Sequence, residues 1–179
     1  LTIIGDKIEK LIADSGIIEK KQLYKIGLFL PFYLDENDEI TMDRLALQEK
    51  SIYPKSRFAI EFYQGFLMAL DSISTDSCNF KLYVYDTKGN DSLRTKNLML
   101  KSEMKKLDLI VGPLYYNNFK HVIRFAKHNK IPVVSPIKQS NKMLLGNQYV
   151  FKAIPSKSTT IKQICTLVVD SFKSENLLA

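Results

Sequence analysis

Residues 107–118 read LDLIVGPLYYNN, an apolar run that stops at Gly112-Pro113 and gives way to two tyrosines and two asparagines. A short, nearly continuous apolar run bounded by turn residues is the mark of a strand buried on both faces, as in a parallel sheet. Working outward from it, the same unit recurs. KIGLFLPF (25–32) is another such run, closed by Pro31, and FKLYVYD (80–86) carries Asp86 at its carboxyl end with a Gly89-Asn90 turn behind it. IPVVS (131–135), ended by Pro136, and YVFKAI (149–154) complete the series.

Amphipathic stretches separate these runs. From Arg57 to Ile73 the residues Ala59, Ile60, Tyr63, Phe66, Leu67 and Leu70 recur at helical spacing. Asp91 is read as the cap of a helix running to about Lys106, and Asn117 or Asn118 as the cap of a helix that turns Phe119, Val122, Ile123 and Phe125 inward. A helical turn is expected over 141–145, and Ser158 or Thr159 opens a last helix through Ile161, Ile164, Leu167 and Val168. Strands alternating with helices of this length predict right-handed parallel crossovers, hence an α/β fold with a doubly wound, Rossmann-like parallel sheet. Residues 33–56 are read as one long loop, with DENDE (35–39) as its solvated acidic part. Residues 1–24, carrying Ile4, Ile8, Leu11 and Ile12, are read as a linker or lead-in helix.

The formal charge of +7, from 26 Lys+Arg against 19 Asp+Glu, brings nucleic-acid binding into question. The basic residues are scattered singly or as pairs (Lys20-Lys21, Lys105-Lys106), with no arginine-rich stripe and no reader motif, so a lysine-rich surface is the reading and no nucleic-acid partner is expected. Cys78 and Cys165 match no metal or redox spacing. No apolar run approaches the ~18 residues that cross a bilayer. LTIIGDKIEK has no signal-peptide pattern, and because the first residue is not Met the chain is expected to be a fragment or a processed form, with any targeting signal upstream.

The chemical motifs fail one by one. No G-x-G-x-x-G follows the first strand, and neither a G-x-x-x-x-G-K-S/T phosphate loop nor a G-x-S-x-G elbow occurs. His121 and His128 stand seven residues apart on one helix, not at the i, i+4 spacing of a zinc pair, and are read as a solvated surface. DENDE lacks the spacing of a calcium loop. No catalytic residue, metal or cofactor is therefore expected. In a doubly wound sheet ligands sit at the carboxyl ends of the strands. That edge collects Phe32-Tyr33, Asp86-Thr87, residues 112–118 and 135–140, a set of hydroxyls, amides and tyrosines suited to recognition. Helix N-termini after Asn117 and Pro136 would favour an anionic group there, Tyr115 and Tyr116 offer flat apolar area, and Lys138 adds a positive charge.

Taken in order, IGLFLPF, FAIEFYQGFLMALDSI, LYVYDTKGN, LDLIVGPLYYNN, NKIPVVSPIKQSN and YVFKAIPS resemble the first lobe of type I periplasmic binding proteins, receptors for branched-chain amino acids and related solutes. The resemblance covers residues 25–172 and is nearest to a Bacteroidetes set, some of which carry a lysin-motif domain upstream. It implies a non-catalytic solute-binding or sensory receptor lobe for a small polar, amino-acid-like ligand of an ABC-transporter-type system, in the periplasm or cell envelope. An ABC permease, or peptidoglycan reached through an upstream domain, are the implied partners. The alternative implied is a cell-envelope structural or interaction module that keeps the fold without the ligand. Carried over residue by residue, Tyr115, Tyr116 and Asn117 of one loop and Ser135, Ile137 and Gln139 of the next would touch the ligand, with Tyr33, Asp86 and Lys138 at the ligand edge. The small Ser and Thr residues usual in those loops are replaced by Tyr-Tyr-Asn-Asn and Ile-Lys-Gln, and SISTDSCNF replaces a glycine-rich segment before the second strand. By the same resemblance residues 25–155 form the first lobe and 156–179 begin a truncated second one. Half a cleft implies weak or nil affinity for a solute.

Overall fold

The run at 25–32 forms β1 (Leu23–Leu30), whose last five residues are all buried, in a computed structural model that describes residues 21–45 and 52–172. β2 (Asn79–Asp86), β3 (Leu109–Val111), β4 (Val133–Ser135) and β5 (Val150–Lys152) join it, every pairing parallel, in the order β2-β1-β3-β4-β5. The order reverses at β1: the second strand lies on one side of it and the third on the other. Of the expected lead-in segment, residues 1–20 lie outside the described residues, and Leu23 and Tyr24 belong to β1.

Successive residues of β1 face opposite ways and fix two cores. Ile26, Leu28 and Leu30 meet α2 (Arg57–Ile73) through Ala59, Phe62 and Phe66. On the other face Phe29 meets Met99 of α3 (Ser92–Met99) and Phe119, Val122 and Ala126 of α4 (Tyr116–Asn129). Leu28, Phe29, Phe119 and Val122 are wholly buried. Each such side chain contributes about 1.5–3 kcal/mol. Phe29 also stacks on Tyr85, with ring centroids 4.8 Å apart. Gly112 permits the turn out of β3, because its φ is +85° and a Cβ there would lie 2.3 Å from the Phe29 carbonyl oxygen.

Five expectations change, the last of them in the final helix. The segment at 33–56 is not a loop throughout: α1 (Leu34–Leu45) begins directly after β1, and DENDE lies in its first turns. The buried Asp86 carboxylate accepts the N–H groups of Phe32, Tyr33 and Leu34 at 2.8, 3.2 and 3.1 Å, and Asp35 and Glu36 complement the positive end of the helix. The helix capped by Asp91 stops at Met99, and a 3-10 turn (Ser102–Lys106) then buries Met104. The asparagine cap of α4 is replaced: Tyr115 holds the cap position without a side-chain bond, while the buried Asn118 donates to the Gly89 carbonyl at 2.7 Å. His121 is not simply solvated, since its Nε2 shares a 2.7 Å hydrogen bond with the Ser92 hydroxyl.

α5 (Lys157–Ser171) is capped by Ser156, two residues before the expected Ser158, through a 3.1 Å bond from the Thr159 N–H. No residue of α5 is buried, and Ile161, Ile164 and Leu167 are 59%, 54% and 65% exposed. Among the described residues no helix is long and apolar enough to cross a membrane.

Candidate ligand-binding site

The switch in strand order opens a crevice between the chain leaving β1 and the chain leaving β3, the place where open α/β sheets take ligands. Tyr33 stands on the first side with φ +54°. Its hydroxyl shares a 3.2 Å hydrogen bond with the hydroxyl of Tyr115 on the second side. Its ring meets the Tyr53 ring edge-on, 5.2 Å between centroids. Gly89 packs against the same phenol: a Cβ at its φ of +62° would lie 2.6 Å from the Tyr33 oxygen. Asn118 holds Gly89 from behind. Burial first, and then the bond to Tyr115, push the Tyr33 phenol above its ordinary range, so it stays neutral and able to donate at any physiological pH.

The loops that carry the expected ligand contacts differ. Tyr115 and Tyr116 are 38% and 49% exposed, and Asn117 is exposed beside them. Lys120 places its ammonium 4.5 Å from the centroid of the Tyr116 ring, one turn on. Ser135, by contrast, is fully buried and its hydroxyl donates to the Ile137 carbonyl at 3.1 Å. Gln139 turns inward and donates to the Leu114 carbonyl at 2.8 Å, tying the loop after β4 to the loop after β3. Ile137 is half-buried and Lys138 exposed. Asp86 does lie at this edge, but with its carboxylate shut in and occupied by backbone N–H groups, including that of Lys88 at 2.9 Å. Its geometry is that of a fastener for the β1 loop.

A charged group flanks the tyrosines. Lys88 reaches Asp35 at 2.8 Å and Glu36 at 3.8 Å, and Arg94 reaches Asp35 at 3.7 Å. The hydrogen bond from Lys88 holds the Asp35 carboxyl below its usual value. Among the described residues, the buried side-chain polar atoms without a hydrogen-bond partner are Glu36 Oε2, Thr87 Oγ1 and Asn118 Oδ1. All three belong to segments that leave β1, β2 and β3 at this edge, where unsatisfied groups are costly and therefore informative. Among the described residues no group of three or more His, Cys, Asp or Glu side chains could hold a metal ion, and Cys78 and Cys165 are free thiols.

Sequence reasoning overlooked Tyr53, Lys88 and the structural part played by Asn118. Tyr53 lies inside the segment read as a loop, and only the fold brings it to Tyr33. The Gly89-Asn90 turn was the one available signal for the wall behind that phenol.

No family model and no curated protein matches the chain. Solved structures do. A leucine-binding protein from Thermotoga maritima superposes with a TM-score of 0.57 at 15% identity, over 84% of this chain and 38% of that one. The fold is that of a type I periplasmic-binding-protein lobe. A branched-chain amino-acid transporter substrate-binding protein from Streptococcus pneumoniae, in complex with isoleucine, gives 0.56 at 16% identity over 84% of this chain and 39% of that one. A solute-binding protein of an ABC transporter from R. palustris, in complex with 4-hydroxybenzoate, gives 0.55 at 14% identity over 73% and 31%. The chain thus spans less than two fifths of the length of these proteins. At such identities the likeness establishes the architecture of the lobe.

Proposed function

We propose that the chain is a non-catalytic solute-binding or sensory lobe of an ABC-transporter-type system, whose small polar ligand sits at the crevice between β1 and β3. The observation that carries this reading is the pairing of Tyr33 and Tyr115, hydroxyls 3.2 Å apart, across the point where the strand order reverses. Tyr115, Tyr116 and Asn117 are the ligand contacts from one loop and Ile137 and Gln139 from the other. Ser135 and Asp86 hold those loops in place, and Lys138 stands at the rim. The solutes of the matched proteins, isoleucine and 4-hydroxybenzoate, define the classes to try first. In this reading residues 25–155 are the first lobe and 156–179 begin a second, which accounts for the exposed apolar face of α5. The working location is the periplasm or cell envelope, facing a permease.

The test is a thermal-shift screen of amino acids and small carboxylic acids on the protein that carries this chain. A true ligand raises the melting temperature by mass action. Tyr115→Ala removes that shift and lowers the unliganded melting temperature only slightly, by the loss of its bond to Tyr33. A shift that survives Tyr115→Ala overturns the assignment of this loop.

A second reading rests on a different observation. Ser135 and Lys152 spend their polar groups on carbonyls of the loop after β4, Lys152 Nζ donating to that of Gln139 at 3.3 Å, while the Gln139 amide is spent on the Leu114 carbonyl. A lobe whose loop after β4 is satisfied internally suits an envelope interaction module that has given up its solute. A screen in which no solute moves the melting temperature favours this module.

A further inference from the structure

The end of the sheet opposite the tyrosine crevice carries the excess positive charge that solute binding leaves unused. Lys101 follows α3, Lys105 and Lys106 lead into β3, and Lys127 and Lys130 close α4 before β4; all five are exposed. None of the five has an ion-pair partner among the described residues. The carboxylates nearby are already engaged: Glu103 accepts the Tyr85 hydroxyl at 3.1 Å, and Asp108 takes Lys21 together with the Lys25 N–H. Among the described residues the charge at this edge is therefore positive and uncompensated.

Two leucines stand among these lysines. Leu100, beside Lys101, is 76% exposed, and Leu145, where the 3-10 turn Asn141–Leu144 ends, is 77% exposed. Their chain neighbours Leu98 and Leu144 pack against the core that holds Phe119 and Met104, whereas these two leucines stay outside it. Lys127 and Lys130 line an open cleft of about 630 Å³ with Asn147, Tyr149 and the two residues that flank Leu145, Leu144 and Gly146. Tyrosine is a residue of bilayer interfaces, where its ring lies among headgroups.

We propose that this edge is a peripheral binding surface for an anionic phospholipid bilayer. The lysines supply attraction to the headgroups, Leu100 and Leu145 enter the acyl boundary, and the cleft between Lys127 and Lys130 seats a headgroup phosphate. A soluble polyanion satisfies the lysines but offers no apolar phase to the leucines, which is why the bilayer is the partner chosen. Seated this way, the chain turns the tyrosine crevice away from the lipid. The proposal does not depend on the solute reading.

The experiment is flotation of the purified chain with vesicles of phosphatidylcholine alone or carrying phosphatidylglycerol. Binding is expected only to the anionic vesicles and is expected to fall as salt shortens the screening length. The quadruple variant K105E/K106E/K127E/K130E lowers the partition coefficient by at least about tenfold. L100A/L145A lowers it as well, while retention on a heparin column stays unchanged. Tyr115→Ala, at the opposite edge, leaves flotation as it was, and far-UV circular dichroism confirms that each variant is folded. Equal flotation with both vesicle types, or with neither, overturns the proposal. So does binding that follows the lysines and ignores the leucines, which assigns the edge to a soluble polyanion.

Discussion

The loop that leaves β3 and the loop that leaves β4 start alike, each from a short buried strand that runs into a proline turn, Gly112-Pro113 in one and Ser135-Pro136 in the other. They end differently. The first delivers Tyr115, Tyr116 and Asn117 to solvent, whereas the second buries Ser135 and turns Gln139 back onto the first. Loops that look equivalent as ligand contacts thus divide the work: one turns its side chains to solvent, and the other spends its Gln139 amide nitrogen on propping the first. The cause is local, because a buried hydroxyl and a half-buried amide find their partners in the carbonyls of Ile137 and Leu114. The presenting loop also leans on a third party, the β1 loop, through Tyr33.

The largest way to break this division is at Asp86. Asp86→Ala leaves the N–H groups of Phe32, Tyr33, Leu34 and Lys88 without their charged acceptor. The expected loss is roughly 3–5 kcal/mol, read as a fall in the urea midpoint, with Tyr33 released from Tyr115. An unchanged midpoint would show that the β1 loop stands without its fastener. Gly89→Ala comes next, since a left-handed φ of +62° and a Cβ 2.6 Å from the Tyr33 oxygen both oppose it. A loss of about 2 kcal/mol is expected, with part of it recovered in the Tyr33→Phe background, where the hydroxyl is gone.

How far the sequence foretold these regions follows from what its signals measure. The five-strand parallel sheet was legible because strands buried on both faces read as continuous apolar runs. The start of α2 at Arg57 was legible from its apolar stripe. α1 was not, because an acidic, weakly amphipathic segment gives no periodicity; its start rests on Asp86, about fifty residues later in the chain. The caps of α4 and α5 were misplaced because several Asn, Ser and Thr residues compete at each start and tertiary contacts choose among them, as Gly89 does for Asn118. At the site, position along the strand edge was legible for every residue named. Which side chains face the crevice was not, because periodicity ends where the strand ends.

The comparison between presenting and propping loops sharpens with one pair of variants. Gln139→Ala removes the bond to the Leu114 carbonyl and is expected to cost about 1 kcal/mol in chemical denaturation. Tyr115→Ala gives up only its one hydroxyl bond, to the half-buried Tyr33 phenol, and is expected to cost less, while taking the ligand-induced thermal shift with it. If the two variants trade places, with Tyr115→Ala the more destabilising, the roles given to the loops are reversed.

The smallest effect lies at the rim, where Asp35 and Lys88 flank the crevice. The hydrogen bond from Lys88, then its charge, hold the Asp35 carboxyl below its usual value, while the same bond raises Lys88. A carboxyl whose folded pKa is depressed contributes its stability in full above its unfolded pKa of about 3.9, and loses it as pH falls through the lower folded value. The raised Lys88 contributes in full below its unfolded pKa of about 10.4, and that share is lost only as pH climbs through the higher folded value. Near neutrality both are present, so the window to watch is acidic. Both groups face solvent, so the effect is modest and salt screens it. Urea midpoints of the wild type and Asp35→Asn should differ near pH 6 and converge as pH drops below about 4, more completely at low salt where the starting difference is larger. A difference that persists at low pH would trace the change to packing at the start of α1, and the pair would then play no part in holding the crevice rim.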